Sequence, residues 1–386
     1  MKSVKVNRSA ANKLKNLFPW VYKSDVDDLA KYEPGEIVKV VDEKERFLAL
    51  GYINPRSTIA VRVLSFKDHE QIERILKSNI LRALASRQEL DATSCRLIYS
   101  EADMLPGLIV DKYEEYLSVQ ILSAGMERLK NVVLDFLINI LEPKGVYIRG
   151  EEVLKKEGLE PYSQVIGQIP ERIVMQENGI KFEVDIQNSQ KTGFYLDQRK
   201  NRLEVTKYVK QKDRVLDCFC NTGGFGLYAR VLKRAKVTAV DISAEAIEQA
   251  KRNYALNEVD GEFVVANVFD YLRDLRKKKE QYDLIILDPP SFAKSRSKKS
   301  SAIKGFKDIT VNAMKIVKNN GFIALFSCSH HIQMDDLEKV VIESARDNRK
   351  LVHVYEHLYQ DIDHPYLISH PFSLYLKGLL FRVSDL

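Results

Sequence analysis

The sequence predicts an α/β fold: a carboxyl-terminal domain built on a largely parallel sheet, preceded by a small β-barrel and an α+β central domain. Three observations predict it. After about Lys191, the apolar runs "RVLDCF", "KVTAVD", "EFVVAN", "YDLIILD" and "GFIALFSC" are each followed by a segment of helical period, such as "SAEAIEQAKRNYALN" or "DLEKVVIESARDN". That alternation means βαβ crossovers and a sheet covered on both faces. Up to about residue 72 the chain instead holds short β runs divided by turn signals, and the stretch between mixes both patterns.

In the first stretch, "GEIVKVVD", "RFLALGYI" and "STIAVRVLSF" are rich in Val, Ile and aromatic residues and are separated by "EKE" and "NPR", which reads as a small barrel. From Glu70 to Leu90, the residues Ile72, Ile75, Leu76, Ile80, Leu81 and Leu84 recur at helical spacing and predict an amphipathic helix. Strands are expected at "CRLIYS", "LPGLIVDKY" and "YLSVQI", then a helix through "MERLKNVVLDFLINIL", then strands at "GVYIRG" and "IKFEVDI". The domain boundaries read as 1–72, 73–190 and 191–386.

Composition narrows the class. The 386 residues are 45% hydrophobic and 30% charged, a globular enzyme profile that excludes a disordered or fibrous chain. No run approaches a membrane span. "MKSVKVNRSAANKLKN" has positive charge without an apolar core or cleavage site, so a cytoplasmic protein is expected. The four cysteines include no CxxC pair and read as reduced thiols. Net charge is +6, and residues 294–307, "KSRSKKSSAIKGFK", carry only basic charges among serines. Such a segment is either a solvated charge run or a mobile loop that meets phosphates through Lys294, Arg296, Lys298 and Lys299.

In open α/β sheets ligands bind beyond the carboxyl ends of the strands. The first of these strands ends "VLDCFCNTGGFG", where Gly223, Gly224 and Gly226 allow a sharp turn and close approach to a ligand. Phe219 and Asn221 stand where a GxGxxG dinucleotide loop has glycines, so a ligand without a pyrophosphate fits better. Asp217 suits a cationic group, Asp241 ends its strand where a ribose diol would sit, and Asn267, Val268 and Phe269 offer an edge and an apolar wall for adenine. A nucleoside with a positive charge and no phosphate is S-adenosyl-L-methionine. Acids at strand ends also serve simply as helix caps; here their order and spacing favour the cofactor. The fourth strand ends "LIILDPPSFAKS", in which Pro289 and Pro290 fix the turn that would aim Asp288 at a planar substrate.

"VLDCFCNTGGFG", "DPPSFAKS", "GFIALFSCSHHI" and "QKTGFYLDQRKNR" resemble motifs of class I, Rossmann-like RNA methyltransferases of the RlmI type. "FPWVY" resembles the opening of that family's RNA-binding PUA domain, and "EADMLPGLIVDKY" its central domain; Phe18 departs from the histidine expected before Pro-Trp. The resemblance implies methylation of carbon 5 of a cytosine in 23S ribosomal RNA, with "FYLDQR" lining the cofactor through Phe194, Gln198 and Arg199. Implied partners are ribosomal RNA and no membrane, with a homodimer allowed.

Carbon 5 of neutral cytosine is a poor nucleophile, and addition of a thiolate to carbon 6 makes it electron-rich. Cys328 follows the fifth strand, beside the strand that carries Asp288, and these two are the expected catalytic pair. Cys328 could otherwise be a small core hydrophobe. Cys218 and Cys220 are expected to pack beside the cofactor, and Ser291 leaves no second thiol after the prolines. His330 and His331 lack a third ligand or orienting acid at recognisable spacing, so no metal site is expected; His364 shapes a pocket or caps a turn. Other readings are methylation of an exocyclic amine or guanine, a non-catalytic assembly factor that binds RNA, and, more distantly, a dehydrogenase.

Overall fold

A computed structural model of the protein describes residues 1–68, 71–88, 90, 92–188, 193–293 and 295–386. It resolves into two compact units: residues 1–175, 184–196 and 362–373, and residues 176–183, 197–361 and 374–386.

The first unit holds two five-stranded sheets. β1 (Lys2–Lys5), β2 (Trp20–Tyr22), β3 (Glu36–Val41), β4 (Phe47–Ile53) and β5 (Ile59–Ser65) are ordered β1-β3-β4-β5-β2. Helix α1 (Arg8–Lys15) starts where Asn7 accepts a hydrogen bond from the Ala10 N–H at 2.9 Å, and buries Ala10, Ala11 and Leu14 with Val4, Val21, Val38 and Val61. The expected three-strand core of the barrel is present as β3 to β5; the sequence reading did not reach β1 and β2.

Helix α2 (Ile72–Ala85) is shorter than the predicted span from Glu70, which itself lies outside the described residues. Leu81 is 51% exposed, and its expected place on the buried stripe is taken by Asn79, whose amide donates to the carbonyls of Leu64 at 3.1 Å and Met104 at 2.8 Å. A buried amide is tolerated there because its N–H groups are hydrogen-bonded to these carbonyls. The second sheet comprises β6 (Cys95–Tyr99), β7 (Leu108–Tyr113), β8 (Tyr116–Ile121), β9 (Gly145–Gly150) and β10 (Tyr162–Gly167), ordered β10-β9-β8-β7-β6. Helix α3 (Ala124–Leu141), capped by the Ser123 hydroxyl, packs on it through Met126, Val133, Leu134 and Leu137. Glu157, at the end of the short α4 (Leu154–Glu157), accepts from Asn54 at 2.8 Å and Ser57 at 2.6 Å, tying β10's neighbourhood to the barrel.

A hairpin, β11 (Ile173–Glu177) and β12 (Ile180–Val184), precedes α5 (Arg199–Thr206). The second unit then alternates β13 (Arg214–Cys218), α6 (Gly224–Lys233), β14 (Lys236–Asp241), α7 (Ala244–Leu256), β15 (Glu262–Val265), α8 (Val268–Lys277), β16 (Tyr282–Leu287), α9 (Lys299–Ile316), β17 (Val317–Ser327) and α10 (Met334–Asn348). β18 (Lys350–Tyr359) and β19 (Lys377–Asp385) complete a seven-stranded sheet ordered β15-β14-β13-β16-β17-β19-β18. β13 to β17 are mutually parallel, and β19 runs antiparallel between β17 and β18. Leu216, Ile285, Ile323 and Leu325 are completely buried in this sheet, each worth about 1.5–3 kcal/mol of burial. From β13 the chain runs outward to β15 and then returns to β16 on β13's other side, so the switch point lies at the carboxyl ends of β13 and β16.

Residues 296–307 are not the mobile loop expected of the basic run: a 3-10 turn begins at Arg296 and α9 at Lys299. Ala302, Phe306 and Ile309 recur at helical spacing and are buried, an apolar stripe that the flanking lysines obscure in the sequence.

Candidate active site

The loop after β13 is built from unusual backbone. Phe219, Asn221 and Gly223 have φ of +59°, +47° and +78°. For the two non-glycine residues this left-handed geometry costs on the order of 1–3 kcal/mol each. At Gly223 an added Cβ would also lie 3.0 Å from the Ala250 Cβ, so the loop sits tightly on α7. Hydrogen bonds hold it: Cys220 N–H donates to Val240 O at 3.0 Å, Gly223 N–H to Cys220 O at 2.8 Å, and Asn221 N–H to Asp241 Oδ2 at 2.9 Å. The other oxygen of Asp241 accepts from Ser243 N–H at 2.9 Å. Asp241 is half-buried, and its carboxylate is pre-oriented at the end of β14 with lone pairs left for a diol.

Asn267 ends β15's turn and caps α8, accepting from Phe269 N–H at 2.9 Å. Val268 is 2% exposed and belongs to the core, whereas the neighbouring aromatic rings are half-buried. Phe219, Phe269 and Phe292 form a cluster with centroids 5.9–6.3 Å apart. Gly224 opens α6, and Gly226 N–H donates to Asp217 Oδ2 at 2.8 Å.

Asp217 differs from its expected role. It is 1% exposed beneath the glycine loop and braces the start of α6, where the sequence reading had it facing a cation. Burial pushes its carboxyl up to about 7; the Gly226 N–H opposes this, and the charges of Asp288 and Asp241 add to it. An unfolded carboxyl titrates near 4, so the stability linked to the protonated form is complete below about pH 4 and is lost as pH rises through 7. Asp217→Asn is therefore expected to be more stable than the native protein at pH 8, by a few kcal/mol, since each tenfold change in proton affinity is worth about 1.4 kcal/mol. The gain should vanish near pH 4. Urea unfolding at the two pH values checks this; an equal difference at both would contradict it.

At the end of β16, Asp288 is half-buried, Pro289 buried and Pro290 exposed. Gln198 Nε2 donates to Asp288 Oδ2 at 3.0 Å, and Gln198 Oε1 accepts from Asn201 Nδ2 at 2.6 Å. The Asn201 amide thereby fixes which end of the Gln198 amide faces the carboxylate. Arg199 Nε donates to Asp361 Oδ2 at 2.7 Å, so the guanidinium is already in an ion pair. Phe194 belongs to the first unit, buried, its N–H donating to Tyr113 Oη at 2.9 Å.

Cys328 follows β17 and is the one half-buried thiol; Cys95, Cys218 and Cys220 are buried. Burial pushes the Cys218 and Cys220 thiols well up, with the Asp217 charge adding to it, so both are core groups. β16 and β17 pair Leu287 with Leu325, which puts Cys328 beyond the strand end next to the one bearing Asp288. The two loops are tied, since Ser329 Oγ donates to Ala293 O at 3.0 Å.

Of the basic residues, Lys299 pairs with Asp336 at 2.7 Å, Lys298 is exposed, and Lys294 lies outside the described residues. His330 is exposed and His331 N–H donates to Ser329 Oγ at 3.2 Å; among the described residues no group of three or more His, Cys, Asp or Glu could hold a metal. His364 Nδ1 contacts Asp363 Oδ1 at 2.8 Å, buried in the first unit. No helix among the described residues is long and apolar enough to cross a membrane. Asn201, Ser329 and Lys377 carry no assigned role in the sequence, because the hydrogen bonds that single them out form only on folding.

Fold and loop together define a nucleoside-binding α/β enzyme. Residues 161–382 match the model of the S-adenosylmethionine-dependent methyltransferase family, and residues 4–66 that of a PUA-like domain. The chain belongs to the S-adenosylmethionine-dependent methyltransferases, in the form that carries an amino-terminal PUA-like domain. It is 39% identical over 376 residues, 95% of each chain, to Ribosomal RNA large subunit methyltransferase I of Pseudoalteromonas atlantica. To the protein of the same name from Photobacterium profundum it is 40% identical over 398 residues, 99% of each chain. A Streptococcus mutans protein described as a SAM-dependent methyltransferase shares its fold, with a TM-score of 0.85 at 20% identity, over 99% of this chain and 100% of that one. The methyl donor is S-adenosylmethionine, and the site fits it: a left-handed loop pressed against α7, an oriented Asp241 carboxylate and half-buried rings suit a nucleoside without a pyrophosphate.

Proposed function

We propose that this protein methylates carbon 5 of a cytosine in large-subunit (23S) ribosomal RNA, through a transient bond between Cys328 Sγ and carbon 6 of the base. The observation that carries the reading is the placement of the single half-buried thiol beyond the end of β17, beside the strand end that presents Asp288. The full-length relatives named for large-subunit ribosomal RNA supply the substrate class.

In this reading Asp241 binds the ribose hydroxyls, while Phe219, Phe269 and Asn267 flank the adenine. Asn221, Gly223 and Gly224 shape the turn that admits the nucleoside, and Gln198 holds Asp288 in place. S-adenosylmethionine, when bound, supplies an electrophilic methyl group. The target base has to be unstacked to enter, and Pro289 and Pro290 keep the wall against which it lies stiff. The Cys328 thiolate forms the Sγ–C6 bond, and the electron pair of the C5=C6 double bond moves to C5, which takes the methyl. Asp288, entering as the carboxylic acid, gives its proton to the ring nitrogen as negative charge develops there, and its other oxygen accepts from the amino group. The C5 proton passes to solvent water, its electron pair re-forms C5=C6, the Sγ–C6 bond breaks with sulfur leaving as thiolate, and the ring nitrogen returns its proton to Asp288. Exposed Lys298 meets phosphate beside the entering base.

Incubation with labelled S-adenosylmethionine and unmodified large-subunit ribosomal RNA, followed by digestion to nucleosides, tests the assignment. The label is expected in 5-methylcytidine. Label in an amino-methylated base, or none in RNA, would contradict it.

A further inference from the structure

We propose that Lys377 is a positioning residue for Cys328: its buried ammonium fixes the loop that carries the thiol and favours the thiolate form. The inference rests on the reading of Cys328 as nucleophile and deepens it.

Lys377 opens β19 opposite Ser327, the residue before Cys328, in the antiparallel register of β17 and β19. Its Nζ donates to Ser329 O at 3.0 Å, Ile332 O at 2.9 Å and Tyr375 O at 3.0 Å. Two of those acceptors lie in the turn that leads from Cys328 to α10, so one ammonium anchors the turn from both sides. Lys377 is only 3% exposed, and all three hydrogen bonds go to neutral oxygens. A buried cation without a bonded carboxylate is costly, and a thiolate at Cys328 adds a counter-charge to that of Asp336. The same arrangement that makes the cation expensive alone makes the pair favourable.

Other described groups also stand around Lys377 and the turn. Asp336 on α10 is engaged by Lys299 of α9 at 2.7 Å, and the Tyr375 hydroxyl donates to Asp197 Oδ2 at 2.5 Å. The His330 ring stands 5.9 Å from the Tyr375 ring, on the exposed side of the turn. Burial lowers Lys377 to about 8, and Cys328 and Asp336 act in the opposite direction, holding the proton on. The ammonium is therefore largely charged at neutral pH.

The test is the rate of carboxamidomethylation of Cys328 by iodoacetamide in the full-length protein, followed by peptide mass spectrometry across pH. The thiolate forms the S–C bond and iodide leaves, so the midpoint of the rate profile reports the thiolate. The native midpoint is expected below the ordinary thiol value of about 8.5. Lys377→Met is expected to move it to higher pH by about 1, which is about tenfold slower alkylation at pH 7, whereas Lys377→Arg keeps it. A purely structural role for Lys377 would loosen the turn without moving the midpoint. An unchanged midpoint in Lys377→Met would overturn the proposal. Should that variant not fold, a native midpoint at or above about 8.5 would overturn it equally. The outcome is separable from the cytosine reading: a low midpoint without RNA methylation sinks that reading alone, and methylation with a high midpoint sinks this one alone.

Discussion

Cys328→Ala is expected to lower kcat for methyl transfer to RNA by a factor on the order of 10³ or more, with binding of S-adenosylmethionine nearly unchanged. The size follows from the chemistry. Without a sulfur at carbon 6 the ring keeps its conjugation, and carbon 5 has no electron pair to offer the donor. Cofactor binding should survive because the groups proposed to hold it, from the β13 loop to Asp241 and Asn267, are organised by bonds that do not involve Cys328. Serine at this position should not restore activity, since its hydroxyl has no anionic fraction at neutral pH. Single-turnover methyl transfer together with equilibrium binding of the donor separates the two effects. A variant retaining more than about a tenth of the native rate would place the nucleophile elsewhere or remove the need for one.

The largest effect on stability is expected from Glu177→Ala. Glu177 receives Arg202 Nε at 2.7 Å and Nη2 at 2.9 Å, and the Tyr228 hydroxyl at 2.8 Å, with both members of the ion pair nearly completely buried. Removing the carboxylate leaves a buried guanidinium without its counter-charge, a defect worth about 3–5 kcal/mol. The damage should reach the active site as well. A Cβ on Gly224 would stand 3.1 Å from Arg202 Cδ, so the stem of Arg202 is packed against the first turn of α6, below the cofactor loop. Urea unfolding of Glu177→Ala measures the first effect and donor affinity the second. A loss of stability under about 1 kcal/mol would mean that the pair is far better hydrated than its burial indicates.

The parallel half of the large sheet was legible because strands buried on both faces read as continuous apolar runs. β13, β14, β16 and β17 each lie where such a run stands, although β17 starts four residues earlier, at Val317; β15 lies under the short run "EFVVAN" but is an edge strand with exposed and half-buried residues. β18 was not legible in the same way: most of "KLVHVYEHLY" is exposed or half-buried, as befits an edge strand rich in charge and histidine. α9 was hidden by the opposite problem, since lysines and serines fill the exposed face of a helix whose buried face is only Ala302, Phe306 and Ile309 at its start.

The candidate site shows the same division. Glycines and prolines announce turns, and so the loop at Gly223 and the turn at Pro289 could be read directly. An acid at a strand end, however, looks alike whether it faces a ligand or lies under a loop. Asp241 and Asp217 differ only in that respect: one is half-buried, the other has its oxygen bonded to Gly226 N–H in the interior. Long-range partners were beyond reach altogether. Asp361 takes the guanidinium of Arg199 from 162 positions away, and Lys377 reaches the Cys328 turn from 48.

The central claim, a transient covalent bond from Cys328 to the base, is tested most directly with RNA in which the target cytosine is replaced by 5-fluorocytosine. Fluorine at carbon 5 cannot leave as a cation, so the step that frees the enzyme is blocked. Incubation with S-adenosylmethionine is expected to trap an adduct stable to denaturation, and mass spectrometry should place the modified nucleotide on the peptide that contains Cys328. An adduct that persists in Cys328→Ala, or methyl transfer to normal RNA without any trapped species on the fluorinated one, would contradict the account.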